Sequence, residues 1–159
     1  MGNKETVFER RLYSIRYDGT GLKLITPEKG SHFVRITGSK NYFIDTFSNM
    51  EQPRRIILKE LRTGKALRVL GETDIEQFVE YEWSSPQIVH FPSLDSTTTL
   101  DGMLILPPNY NSGKKYPVII HGYGMPGTQI VWNRWGSTWD QYLAPVSYTH
   151  LTLPTILLV

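Results

Sequence analysis

The sequence predicts a mixed fold, with antiparallel β hairpins in the first half and the start of an α/β sheet in the second. Three observations carry this. Apolar and polar residues alternate with period two through short segments bounded by glycine turns up to about residue 70. The texture changes at Gly71. Beyond it, a hairpin, a short apolar strand, a glycine-rich loop and a helix-capping signal follow in that order.

In the first half, Tyr13, Ile15 and Tyr17 alternate with Ser14 and Arg16 as in a half-buried strand. Asp18-Gly19-Thr20-Gly21 is a turn, because glycine accepts the positive φ of a tight reversal. Residues 22–26 return as a second strand that Pro27 stops. Four strands follow, over 32–37, 42–48, 54–62 and 65–70, separated by short turns and one loop over 49–53. Four antiparallel strands in sequence make one blade of a β-propeller, and a lone meander fits the pattern equally well. Thr73 and Glu76 have the spacing of a capping box, with Ile75, Phe78 and Val79 on one helical face behind it. The domain boundary therefore falls between Gly71 and Pro86.

In the second half, residues 87–91 and 98–106 read as two strands about a polar turn. Residues 116–121 form a short apolar run of the sort buried on both faces of a sheet. The loop Gly122-Tyr123-Gly124-Met125-Pro126-Gly127 follows, and Ser137 with Asp140 caps a helix expected to carry Trp139, Tyr142 and Leu143 inward. This is the order in which an α/β-hydrolase domain begins.

Composition narrows the function classes. The chain has 159 residues, 40% apolar and 20% charged, which is globular. A net charge of +2 without a basic block gives nucleic acid or an anionic membrane no electrostatic support as a partner. The absence of cysteine removes disulfides and zinc-thiolate sites. Residues 1–10 lack an apolar core, so no signal peptide is expected there, and no apolar run is long enough to span a bilayer. The histidines have no HxH or HExxH spacing, so no metal site is expected. Gly122, Gly124 and Gly127 match a dinucleotide fingerprint in form, but Pro126 interrupts the required helix start. Trp132, Trp135 and Trp139 have the spacing of one buried helical face.

Several segments together resemble one family. Arg11-Leu12-Tyr13-Ser14 with Asp18-Gly19-Thr20-Gly21-Leu22, and the strand Tyr42-Phe43-Ile44-Asp45-Thr46-Phe47-Ser48-Asn49, are similar to the last propeller segments of dipeptidyl-peptidase IV-like serine peptidases of the prolyl oligopeptidase family. Asp101 to Tyr110, Lys114-Lys115-Tyr116-Pro117-Val118, Tyr123 to Gln129, and Trp139-Asp140-Gln141-Tyr142-Leu143-Ala144 resemble the start of that family's hydrolase domain. The resemblance runs from about Glu9 to Ala144. It implies three parts: residues 1–72 as the end of a β-propeller, 73–145 as the N-terminal part of an α/β-hydrolase, and a tail.

What the resemblance implies about chemistry is specific. In the family a propeller covers the hydrolase and admits short peptides, often cleaved after proline. Tyr123 takes the place of the tyrosine that stabilises the tetrahedral oxyanion. Met125 stands where glycine is usual, adding a side chain to that loop. The catalytic serine needs a G-x-S-x-G elbow, and the chain contains no G-x-S. The serine, aspartate and histidine would all follow Ala144, so this chain alone is expected to be inactive. A peptide substrate is the implied partner, no cofactor is implied, and a homodimer of the parent is compatible. Family members are often secreted, periplasmic or membrane-anchored. Two rival readings are a non-catalytic β-rich binding module and a piece of another α/β-hydrolase such as an esterase. Residues 146–159 depart from the family and look like translated adapter sequence, so a non-native tail is expected there and His150 enters no triad.

Overall fold

The computed structural model describes residues 1–2, 4–76, 82–123, 128–136, 138–146 and 149–154. Contacts divide the chain into two units, Met1–Asp74 with Trp132–Trp135, and Ile75–Val131 with Gly136–Val159.

In the first unit, Asp18 organises the first turn. Its carboxylate accepts from the Thr20 amide at 2.8 Å and hydroxyl at 2.7 Å. Those bonds, the hydroxyl's first, hold the exposed Asp18 carboxyl below its ordinary value. The flanking ladder is shorter than alternation predicts: β1 (Tyr13–Ser14) pairs with β2 (Lys23–Leu24). The turn's own bonds claim the rest, with Gly19 N donating to Arg16 O and Arg16 N to Thr20 O.

A four-stranded antiparallel sheet follows in the order β3 (Ser31–Ile36), β4 (Tyr42–Ser48), β5 (Arg55–Glu60), β6 (Ala66–Glu72). It is the predicted meander, within two residues at each strand end. Alternation is strict on β4, which buries Phe43, Asp45 and Phe47, and on β5, which buries Ile57 and Lys59. Leu12, Ile25 and Phe43 form the apolar core, with Val34 and Leu61 against it. Each such side chain contributes roughly 1.5–3 kcal/mol by leaving water.

Gly64 fixes the turn between β5 and β6. Its φ is +76°, and a Cβ there would sit 2.0 Å from the Ile25 carbonyl oxygen. Gly64→Ala is expected to destabilise this unit by about 2–3 kcal/mol, from backbone strain plus the contact. Gly19→Ala, at φ +81° with no atom within 4 Å, should cost about 1 kcal/mol. Urea midpoints of the two variants test the difference, and equal midpoints would contradict the contact.

The Thr73 amide and hydroxyl both donate to the Arg54 carbonyl, extending the pairing of β5 and β6. The helix expected behind Thr73 falls on residues 77–81, outside the described residues. Phe78 and Val79 of the expected helical face lie outside the described residues.

In the second unit the sheet order is β7 (Gln87–Pro92), β8 (Thr99–Ile105), β10 (Thr149–Pro154), β9 (Val118–Tyr123). β7 and β8 form a hairpin, β10 runs antiparallel to β8, and β10 runs parallel to β9. The segment read as a tail thus supplies an inner strand. A short helix α1 (Thr138–Leu143) lies between β9 and β10 in the chain, the kind of crossover a parallel pair needs. The Asp95 carboxyl in the hairpin turn is held below its ordinary value by the Ser93 hydroxyl, then by the Thr97 amide and hydroxyl.

Two expectations fail here. The apolar run in β9 is not covered: it lies at the sheet edge, with Val118 55% and Ile120 64% exposed. Helix α1 does not turn Trp139 and Tyr142 inward. Trp139 is 67% exposed, and the buried residues are Gln141 on the helix and Ala144 just past it. The Gln141 amide donates to the Ser84 carbonyl at 2.9 Å and accepts from the Ser84 amide at 3.2 Å, which draws that face inward. The three tryptophans share no helical face either. Trp132 and Trp135 precede the helix and cluster with the first unit.

Candidate functional site

The residue singled out by motif, Tyr123, is the last residue of β9, the third strand of the second unit in chain order. Its backbone pairs with Pro154 of β10. The Tyr123 side chain and residues 124–127, Met125 among them, lie outside the described residues. His121, two residues earlier on β9, is exposed and does not occupy a buried position.

Among the described residues two histidine–aspartate pairs occur, one in each unit. On the hairpin of the second unit, His90 Nδ1 lies 2.7 Å from Asp101 Oδ1, across the register that pairs the two residues. Asp101 is therefore hydrogen-bonded to the imidazole. The His90 ring is mostly exposed, and in water such a pair is worth little.

The pair in the first unit is built differently. His32 on β3, Asp45 on β4 and Lys59 on β5 share the buried face of the sheet. His32 Nδ1 lies 3.0 and 2.9 Å from the two Asp45 oxygens. Lys59 Nζ lies 3.0 Å from Asp45 Oδ2 and 2.8 Å from Glu28 Oε1. His32 Nε2 lies 3.0 Å from the Glu28 carbonyl oxygen, and Phe47 packs against the imidazole at 4.7 Å. Both ring nitrogens thus face acceptors, and neither is turned to a serine hydroxyl. The cluster has the histidine and carboxylate of a triad without its nucleophile, so its chemistry is structural. Its sequence signal was the parity of β4 and β5, which puts Asp45 and Lys59 at positions that alternation reserves for apolar residues.

A second polar set fastens the segment 132–135 within the first unit. Asn133 Nδ2 donates to Glu9 Oε1 at 2.7 Å, the Asn133 amide to the Phe8 carbonyl at 2.8 Å, and Asn133 Oδ1 accepts from the Met50 amide at 3.1 Å. Buried Glu9 also accepts from the Arg11 guanidinium, which reaches Glu5 at 2.6 Å. Asn133 had not been singled out from sequence, and its partners come from distant segments.

Residues 1–54 match the family described as the dipeptidyl peptidase IV N-terminal region. Dipeptidyl peptidase 4 of Trichophyton rubrum is 31% identical over 136 residues, covering 80% of this chain and 17% of that protein. The chain is similar to dipeptidyl peptidases over a part of their length. The protein named probable dipeptidyl-aminopeptidase B of Arthroderma otae is 28% identical over 152 residues, covering 91% of this chain and 16% of that one. The crystal structure of Porphyromonas gingivalis dipeptidyl peptidase 4 superposes with a TM-score of 0.85 over 96% of this chain and 22% of that one. At 22% identity that likeness concerns fold alone. The chain spans 16–17% of the length of the curated relatives it matches. Its antiparallel four-stranded sheet has the architecture of a propeller blade.

Proposed function

We propose that residues 1–72 end a β-propeller, that 73–145 begin the α/β-hydrolase domain of a serine peptidase acting on short peptides, and that Tyr123 donates a hydrogen bond to the tetrahedral oxyanion. The observation that carries this reading is the position of Tyr123. It closes the third strand of the second unit in chain order, and the sequence continues from there through a glycine-rich segment toward α1. In α/β-hydrolases, the loop between the third strand and the first helix supplies part of the oxyanion hole.

The chemistry follows from that position. A serine alkoxide adds to the scissile carbonyl, the C=O pair moves onto oxygen, and the Tyr123 O–H is aimed at the charge that forms. The serine, its histidine base and the orienting aspartate come from sequence beyond this chain, so the 159-residue chain turns nothing over. Residues 146–159 are a non-native tail in this reading. The slot between β8 and β9 offers backbone donors and acceptors to any short β-forming segment, so occupancy by Thr149–Pro154 follows from Thr and Leu content alone.

The test begins at the native locus, sequenced across the codons for Leu143 to Val159. The expected frame leaves the tail and continues into a G-x-S-x-G elbow. The complete product is expected to release p-nitroaniline from an X-Pro-p-nitroanilide and to lose that activity to a serine-directed phosphonate. A frame that ends at Val159, or a complete product that cleaves only p-nitrophenyl esters, would overturn the peptidase reading.

A further inference from the structure

The first unit contains a cavity of about 340 Å³ that the peptidase reading does not use. Arg10, Arg54 and Arg134 line it, and no acidic residue does. Among the described residues these three guanidinium groups make no ion pair. Arg10 instead lies over the Trp132 ring, 4.7 Å from its centroid. Three other cations of the same unit are matched: Arg11 to Glu9 and Glu5, Lys59 to Asp45 and Glu28, Arg55 to Glu72. Three arginines without an ion pair around one concavity with no acidic lining leave a local positive field there.

The walls add direction and shape. Ser31 lines the cavity, and its hydroxyl oxygen is buried with no hydrogen-bond partner among the described residues. A buried hydroxyl left unmatched costs free energy unless a ligand or water answers it. Phe33 and Trp132 supply flat apolar surface. Arg134 is positioned by its neighbour Asn133, whose side chain and amide are tied to Glu9, Phe8 and Met50, so that wall is part of the unit.

We propose that this cavity is a binding site for a small dianion carried on an aromatic or apolar group. Two guanidinium forks can grip its oxygens with charge-assisted bonds. The ring rests between Phe33 and Trp132. A phosphate monoester and a dicarboxylate present the same chemistry, and the volume admits either.

The test uses the 159-residue chain with phenyl phosphate, phthalate and inorganic phosphate as probes, followed by calorimetry and by amide shifts of Ser31 and Phe33. Saturable binding of phenyl phosphate or phthalate is expected, tighter than inorganic phosphate and weakened as salt rises from 50 to 200 mM. Binding of phenyl phosphate alone assigns a phosphate source, phthalate alone a carboxylate source, and both a general dianion site. Arg54→Ala with Arg134→Ala should weaken binding at least about tenfold, and Arg54→Lys by less, since charge stays while the fork is lost. Lys65→Ala, an exposed control in the β5–β6 turn, should leave binding within about twofold. Unchanged thermal midpoints would show that the arginine variants still fold. Absence of saturable binding by either aromatic probe, or equal loss in the Lys65 control, would overturn the proposal.

Discussion

Replacing Asp45 with alanine is expected to destabilise the first unit by about 3–5 kcal/mol, the usual cost of leaving a buried charge without its partner. Asp45 is fully buried and contacts both His32 and Lys59, whose side chains are 0% and 1% exposed. Removing the carboxylate leaves Lys59 only the half-exposed Glu28 and leaves His32 Nδ1 facing a void. The two ends of the set are not equivalent. Lys59→Met keeps an apolar chain of similar length in the slot, and Asp45 stays bonded to His32, so the loss should be smaller. Urea unfolding measures both, with an unchanged m-value as the sign that stability and not compactness has moved. A cost below about 1 kcal/mol for Asp45→Ala would mean that water reaches the set and screens it.

The same buried set shows where sequence reading succeeds and where it stops. Strand β4 was legible to the residue because its alternation and both turns agree. Asp45 and Lys59 were legible only as breaks of parity, and parity does not say which partner satisfies a misplaced charge. His32 is one strand away from Asp45 and Lys59 is one strand beyond, so the register must be known first. The apolar run of β9 shows a different limit. Val118 and Ile120 describe a strand suited to being covered, and composition cannot supply the layer that covers it. In α1 the tryptophan and tyrosine suggested an inward face, yet a six-residue helix carries too few positions for its pattern to outweigh two hydrogen bonds from Gln141. Tyr123 could be named as a candidate because a glycine-rich segment after a strand is a local motif. The arginine-lined cavity was not, because Arg10, Arg54 and Arg134 come from three separate segments.

Tyr123→Phe in the complete protein is expected to lower kcat by roughly 100- to 1000-fold, about 2.7–4 kcal/mol of transition-state stabilisation. KM should change little. A phenol hydroxyl interacts weakly with a neutral carbonyl and strongly with the oxyanion, so its loss falls on the step that forms charge and not on binding. Phenylalanine keeps the ring, and Tyr123 closes a strand whose pairing runs through backbone atoms, so the substitution removes one oxygen and leaves the ladder intact. That separates two roles. If the ring merely shapes the glycine loop, Tyr123→Phe retains kcat while Tyr123→Ala loses it. If the hydroxyl stabilises the oxyanion, both variants lose kcat, and phenylalanine loses most of what alanine loses. A transition-state analogue with a tetrahedral oxyanion should then bind the phenylalanine variant more weakly by the same factor as kcat/KM falls, because both quantities measure the same hydrogen bond.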